Sequence, residues 1–141
     1  MNGKSETFDG SCLCGQVRYS VRGPLGVMDN CYCTDCRKSH GAAFATYIEV
    51  PWKSLEWVSG KDRLETYTAG TGTKRSFCRT CGSTLLCWVE SDPSVVEIAA
   101  AALDTPITER PRSHTFVRSK VSWFDIQDGA PQFQTTRDAS S

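Results

Sequence analysis

The chain has 141 residues, 39% of them hydrophobic and 23% charged, and a formal charge of zero. A single domain of that length buries about 68–70% of its unfolded surface, so a substantial core is available. No apolar run approaches the ~18 residues of a membrane span, and a neutral chain is poorly suited to nucleic acid or an anionic membrane.

Residues 1–7 are polar and read as a flexible N-terminus without the apolar segment of a secretory signal, which makes the cytoplasm the expected location. From Gln16 to Arg22 apolar and polar residues alternate, so Val17, Tyr19 and Val21 should share one face of a strand that ends at Gly23. Cys31 to Cys36 forms a metal knuckle, followed by Arg37, Lys38 and His40. Ala43 to Val50 is rich in β-branched and aromatic residues and closes at Pro51. Leu55 to Val58, Leu64 to Thr68, Thr84 to Val89 and Val95 to Ala99 read as further strands, the last two parted by a turn at Ser91, Asp92 and Pro93. Asp104 to Arg112 reads as a loop, and His114 to Val117 as a last strand. Trp123 and Phe124 should anchor the C-terminal segment on the core, and residues 135–141 should be a disordered tail. No segment has the apolar periodicity of an amphipathic helix. The expectation is a single mainly-β domain.

Eight cysteines are the outlying number. In a secreted chain they would allow 105 disulfide connectivities. In a reducing compartment, clustered cysteines more often hold metal, and their spacing agrees. They fall as C-x-C at Cys12 and Cys14, C-x-C-x2-C at Cys31, Cys33 and Cys36, C-x2-C at Cys78 and Cys81, and a lone Cys87. Two clusters are followed directly by glycine, Gly15 and Gly82, which allows a tight turn with positive φ. These two together supply four thiolates, the closed shell of a structural zinc site. The Cys31 cluster is left with three. His40 is the nearest candidate for a fourth ligand, with His114 and Cys87 more distant; alternatively the fourth position is open to water or a substrate thiol. Spacing alone leaves the two readings level. Seven thiolates against the four positive charges of two zinc ions would bring the net charge to −3.

Other residues near the clusters have ordinary readings beside functional ones. Arg37, Lys38, Lys74, Arg75 and Arg79 are singly a solvated basic surface and jointly a seat for carboxylates. Asp35 reads as a turn former before a base, and Cys87 as a small buried hydrophobe. The four tryptophans line either core or pocket.

The order Gly-Ser-Cys12-Leu-Cys14-Gly, Asn30-Cys31-Tyr-Cys33-Thr-Asp-Cys36-Arg37, Phe44, Gly60, Tyr67, Arg75-Ser-Phe77-Cys78-Arg-Thr-Cys81-Gly82-Ser83, Lys120-Val-Ser-Trp123 and Pro131-Gln-Phe133 resembles the glutathione-dependent formaldehyde-activating enzyme (GFA) family, the CENP-V/GFA domain. The resemblance covers residues 8–134. It implies a zinc-stabilised, Mss4-like β fold, a structural zinc on Cys12, Cys14, Cys78 and Cys81, and a second zinc on Cys31, Cys33 and Cys36. These last three would be the catalytic cysteines, with a position associated with glutathione. The sequence departs from the family pattern at His40, where relatives often carry a small or polar residue, and at the extra thiol Cys87. The expected function is a carbon–sulfur lyase or synthase that joins glutathione to a small aldehyde, giving S-(hydroxymethyl)glutathione. Arg37, Lys38 and Arg75 would seat the tripeptide's carboxylates. The alternatives are a glutathione carrier or zinc-scaffolded binding module without turnover, a nucleic-acid-binding zinc protein, and an oxidoreductase working through Cys87.

Overall fold

The alternation that begins at Gln16 becomes the central strand of a small antiparallel sheet. The computed structural model describes residues 6–137. In it, β1 (Thr7–Ser11) pairs with β2 (Arg18–Arg22), and β2 pairs with β5 (Leu55–Ser59). Val17, Tyr19 and Val21 are all at or below 1% exposure, the shared face that the period-2 pattern requires. Trp57 meets the Tyr19 ring edge-on at 6.0 Å. Each such side chain contributes about 1.5–3 kcal/mol on burial.

The described residues fall into two units, each gathered from two stretches of chain. The first takes the residues up to Gly26 together with Ile48–Ile107; the second takes Val27–Tyr47 together with the residues from Thr108. Besides the three-stranded sheet, the first unit contains an antiparallel run of β6 (Leu64–Thr68), β7 (Thr73–Cys78), β8 (Thr84–Val89) and β9 (Val95–Ala99). Leu85, Leu86, Val96 and Ile98 are buried at 1% exposure or less. The alanine run after β9 turns into a short 3-10 helix, Ala100–Ala102.

In the second unit β3 (Met28–Cys31) lies parallel to β10 (Ser113–Thr115), with His114 opposite Asn30 and Thr115 opposite Cys31. Helix α1 (Thr34–His40) follows β3, and β4 (Ala45–Pro51) carries the chain from the second unit into the first. Among the described residues the protein is mainly β, with ten strands and one α-helix. No helix among them is long and apolar enough to cross a membrane.

Two local expectations are corrected, and one strand is added. The stretch 34–40 is a helix. It is only seven residues long and has a single buried residue, Cys36, so no apolar stripe announces it. Met28–Cys31 is a strand although two of its four residues are polar, because Asp29 and Asn30 are buried with partners: Ser113 Oγ donates to Asp29 at 2.6 Å and Thr46 Oγ1 to Asn30 at 2.6 Å. Trp123 is 73% exposed and anchors nothing, whereas its neighbour Phe124 packs on Phe44 with ring centroids 5.4 Å apart.

Residues 1–5 of the expected loose N-terminus and 138–141 of the expected tail lie outside the described residues. Within them, Thr7 opens β1, Phe116 N–H donates to the Thr135 carbonyl at 2.9 Å, and Arg137 pairs with Asp29.

Candidate metal centres

In the first unit Cys12, Cys14, Cys78 and Cys81 bring four sulfurs within 4.8 Å of one another. The Cys12–Cys14 and Cys14–Cys78 sulfurs are 3.5 and 3.8 Å apart. A tetrahedral ion with metal–sulfur bonds of about 2.3 Å needs sulfurs about 3.8 Å apart, so the donors fit a metal as they stand. Two loops of like design build the cluster. Gly15 (φ 81) and Gly82 (φ 80) both take the left-handed backbone, and their N–H groups close onto the Cys12 and Cys78 carbonyls at 3.0 and 2.7 Å. The turn after Cys12 lets the Val17 N–H reach the Cys12 sulfur at 3.2 Å.

Ser83 joins the two loops. Its hydroxyl oxygen accepts the Leu13 N–H at 2.8 Å and lies 3.2 Å from the Cys81 sulfur. That hydroxyl, ahead of any other cause, pulls the Cys81 thiol down to about 5. An ionised sulfur at neutral pH is what a metal ligand requires. The reading of the sequence gave Ser83 no role. Its place directly after the Cys-x2-Cys-Gly loop was the available signal.

In the second unit the sulfurs of Cys31, Cys33 and Cys36 also lie within 4.8 Å of one another. Cys31 closes β3. Cys33 is the N-cap of α1, with extended backbone (φ −65, ψ 155), and its sulfur accepts the Cys36 N–H at 3.2 Å. Cys36 lies in the first turn, buried at 4% exposure. One turn of helix thus folds the third thiol back beside the first two. Gly41, left-handed at φ 62, ends the helix by bonding to the Arg37 carbonyl.

The three thiols resist ionising together. The Cys33 thiol heads the causes that push Cys31 up to about 11, and Cys31 and Cys33 push Cys36 up as well. Two like charges 4 Å apart repel by about 4 kcal/mol at an effective dielectric of 20. A divalent cation between the sulfurs reverses the sign of that interaction, so this cluster also suits a metal. Neither histidine is part of the group. His40 places Nε2 2.9 Å from the Tyr47 hydroxyl, and His114 bonds to Tyr32 and Asp128.

Of the proposed substrate cations, Arg37 and Lys38 both stand on α1 directly after Cys36. Arg37 donates from Nη2 to Thr34 Oγ1 at 3.2 Å, while its buried Nε–H has no acceptor among the described residues. Lys38 is exposed. Arg75 belongs to the first unit, buried on β7 opposite Cys87, which in turn faces Glu97. Cys87 is buried at 6% exposure. No cysteine among the eight is in a disulfide.

The fold and its thiol clusters define a mainly-β protein with two groups of cysteines suited to hold metal ions. The chain belongs to the family described as glutathione-dependent formaldehyde-activating enzyme, whose model matches residues 7–119. It is 32% identical over 128 residues to a Halomonas elongata protein named "Putative glutathione-dependent formaldehyde-activating enzyme", covering 85% of this chain and 81% of that one. It also resembles the crystal structure of a Rhodobacter sphaeroides protein, with a TM-score of 0.59 and 30% identity over 71% of this chain and 91% of the other.

Proposed function

We propose that this protein is a zinc-dependent carbon–sulfur lyase of the S-(hydroxymethyl)glutathione synthase type, holding two zinc ions per chain. The observation that carries the reading is the Cys31, Cys33 and Cys36 group, which has one thiol fewer than the four-cysteine group in the same chain. Four thiolates suit a closed structural site; three suit a site that a substrate thiol completes. The family description, glutathione-dependent formaldehyde-activating enzyme, supports glutathione and a small aldehyde as the substrate class.

A zinc ion on the three thiols would supply acidity, lowering the pKa of a glutathione thiol that joins it. The remaining work falls to the chain. Cys33 and Cys36 fix the start of α1 and so aim Arg37 and Lys38, the cations offered to a carboxylate. In the reaction the glutathione sulfur bonds to the aldehyde carbon and the carbonyl π bond opens. The thiol proton ends on the new hydroxyl oxygen, and no oxidant or reductant is consumed. A reducing cytoplasm would keep all eight cysteines as thiols.

Three cysteinates leave such a site with a net charge of −1, which weakens its Lewis acidity and favours a second reading, a carrier that binds glutathione without turnover. One experiment separates the two. Zinc content is measured with and without glutathione, beside the rate of S-(hydroxymethyl)glutathione formation above the spontaneous reaction. Two ions and a zinc-dependent rate gain support the enzyme. Glutathione binding with no rate gain leaves the carrier, and no binding removes both.

A further inference from the structure

Tyr32 is the single residue between two thiols of the three-cysteine group. It is fully buried, and it is held at both ends. Its backbone N–H donates to the Thr115 carbonyl at 2.9 Å, and its hydroxyl lies 2.9 Å from Nδ1 of His114. His114, 2% exposed, places Nε2 2.8 Å from Oδ1 of Asp128, and that oxygen also accepts the Ala130 N–H at 3.0 Å. The carboxylate end of this chain is open to solvent, with a side chain 60% exposed.

The donors and acceptors follow from the far end. A carboxylate only accepts, so Nε2 donates to Asp128; in a neutral imidazole with that tautomer, Nδ1 accepts from the tyrosine hydroxyl. The backbone of His114 is fixed as well: its N–H donates to the Pro131 carbonyl at 2.9 Å and its carbonyl accepts from Phe133 N–H at 2.8 Å. Phe44 and the His114 ring flank the Tyr32 ring, with centroids 5.0 and 5.5 Å away.

A phenylalanine would fill the same space with no polar atom to desolvate. A fully satisfied buried network instead fixes one orientation, and groups that orient metal ligands commonly change metal affinity by 10–100-fold when removed. Tyr32 shares a peptide bond with each of Cys31 and Cys33, so its orientation fixes the directions in which their sulfurs leave the backbone. Asp128 also lies beyond residue 119, where the match to the family model ends.

We propose that Tyr32, His114 and Asp128 are positioning residues that set the geometry of the Cys31, Cys33 and Cys36 thiols for their metal ion. The inference rests on the reading that these thiols hold a metal. It is tested on the full-length protein by titrating cobalt(II) against a competing chelator, following the sulfur-to-cobalt charge-transfer and d–d bands. A Cys36→Ser chain assigns the bands of the two sites. Tyr32→Phe removes one oxygen, and Asp128→Asn changes an exposed group; both should fold. Each is expected to weaken cobalt at the three-thiol group about 10–100-fold and to shift its bands, leaving the four-thiol site unchanged. Because the residues act in series, the double variant should be no weaker than Tyr32→Phe alone. Wild-type affinity and bands in both single variants would overturn the proposal, as would equal losses at both sites. If the unaltered three-thiol group takes no metal, the inference falls together with the reading on which it rests. If it takes metal and the variants match it, only the inference falls.

Discussion

The imidazole of His40 lies 2.9 Å from the Tyr47 hydroxyl through Nε2, and the two rings meet edge to face at 5.3 Å. This histidine, four residues past Cys36, was the nearest candidate to complete the three-thiol group, and the group forms without it. His40→Ala should therefore keep two zinc ions per chain and lose about 1 kcal/mol of stability with the hydrogen bond. Elemental analysis of the variant after dialysis decides it; a fall to one ion would make His40 a ligand.

The two clusters should respond differently to loss of a thiol. Cys78→Ser breaks the four-sulfur site that ties residue 12 to residue 81, and structural zinc contributes about 10 kcal/mol or more in small domains. That variant should be unfolded, with a far-ultraviolet dichroism spectrum to match. Cys33→Ser should stay folded with one zinc and lose the glutathione-dependent rate.

Ser83→Ala removes a hydroxyl that meets both the Leu13 N–H and the Cys81 sulfur. Stability should drop by about 0.5–1.5 kcal/mol as the exposed Leu13 N–H exchanges the hydroxyl for water. Zinc transfer to a chelator should speed up, on the order of tenfold or more. Restoring the hydroxyl with threonine should recover part of the loss, and an unchanged release rate would count against the role given to Ser83.

Metal uptake at the three-thiol group should release protons. Cys31 is pushed up to about 11 by its neighbours and Cys36 is raised too, so both are thiols at neutral pH when no metal is bound. Raised folded-state values stabilise the metal-free fold below the unfolded thiol value of about 8.5, and that contribution is lost as pH rises through about 11. Metal binding runs the other way. It must displace at least the protons of Cys31 and Cys36, so affinity should climb by about 100-fold or more per pH unit near neutrality. Calorimetry in buffers of different ionisation enthalpy measures the count, and a pH-independent affinity would contradict it.

At Gly60, φ is 73, and an added Cβ would fall 2.0 Å from the Gln16 carbonyl oxygen. Gly60→Ala should cost at least about 1–3 kcal/mol, from the backbone conformation and the contact together. A melting temperature within a degree of wild type would show that the loop simply moves aside.

The cysteine spacing made both clusters legible, and the flanking glycines showed which pairs belong together. Gly15 and Gly82 do take the positive φ that this pairing assumed. Alternation likewise placed Val17, Tyr19 and Val21 on one buried face. What stayed hidden depended on partners far along the chain. The strand Met28–Cys31 drew no expectation from the sequence, because the Ser113 and Thr46 partners of Asp29 and Asn30 are invisible to a local window. His114 gave no hint of its bond to Tyr32, 82 residues earlier. Helix α1 was hidden for another reason: its cap is itself a cluster thiol, and its one buried side chain is another. Periodicity detects helices that pack by an apolar stripe, and this one is placed by sulfur.

The four-thiol site also imposes an order of events during synthesis. Cys14 leaves the ribosome 64 residues before Cys78, a wait of about 3–13 s at 5–20 residues per second. For the last 42 residues of that interval Cys12 and Cys14 share the nascent chain with Cys31, Cys33 and Cys36, and those five thiols can bind an ion in combinations that the finished protein does not use. On the zinc reading, early metal would thus be a trap as well as a cofactor. Refolding in which the metal is withheld until the chain is whole should yield more correctly loaded protein than refolding with zinc present from the start.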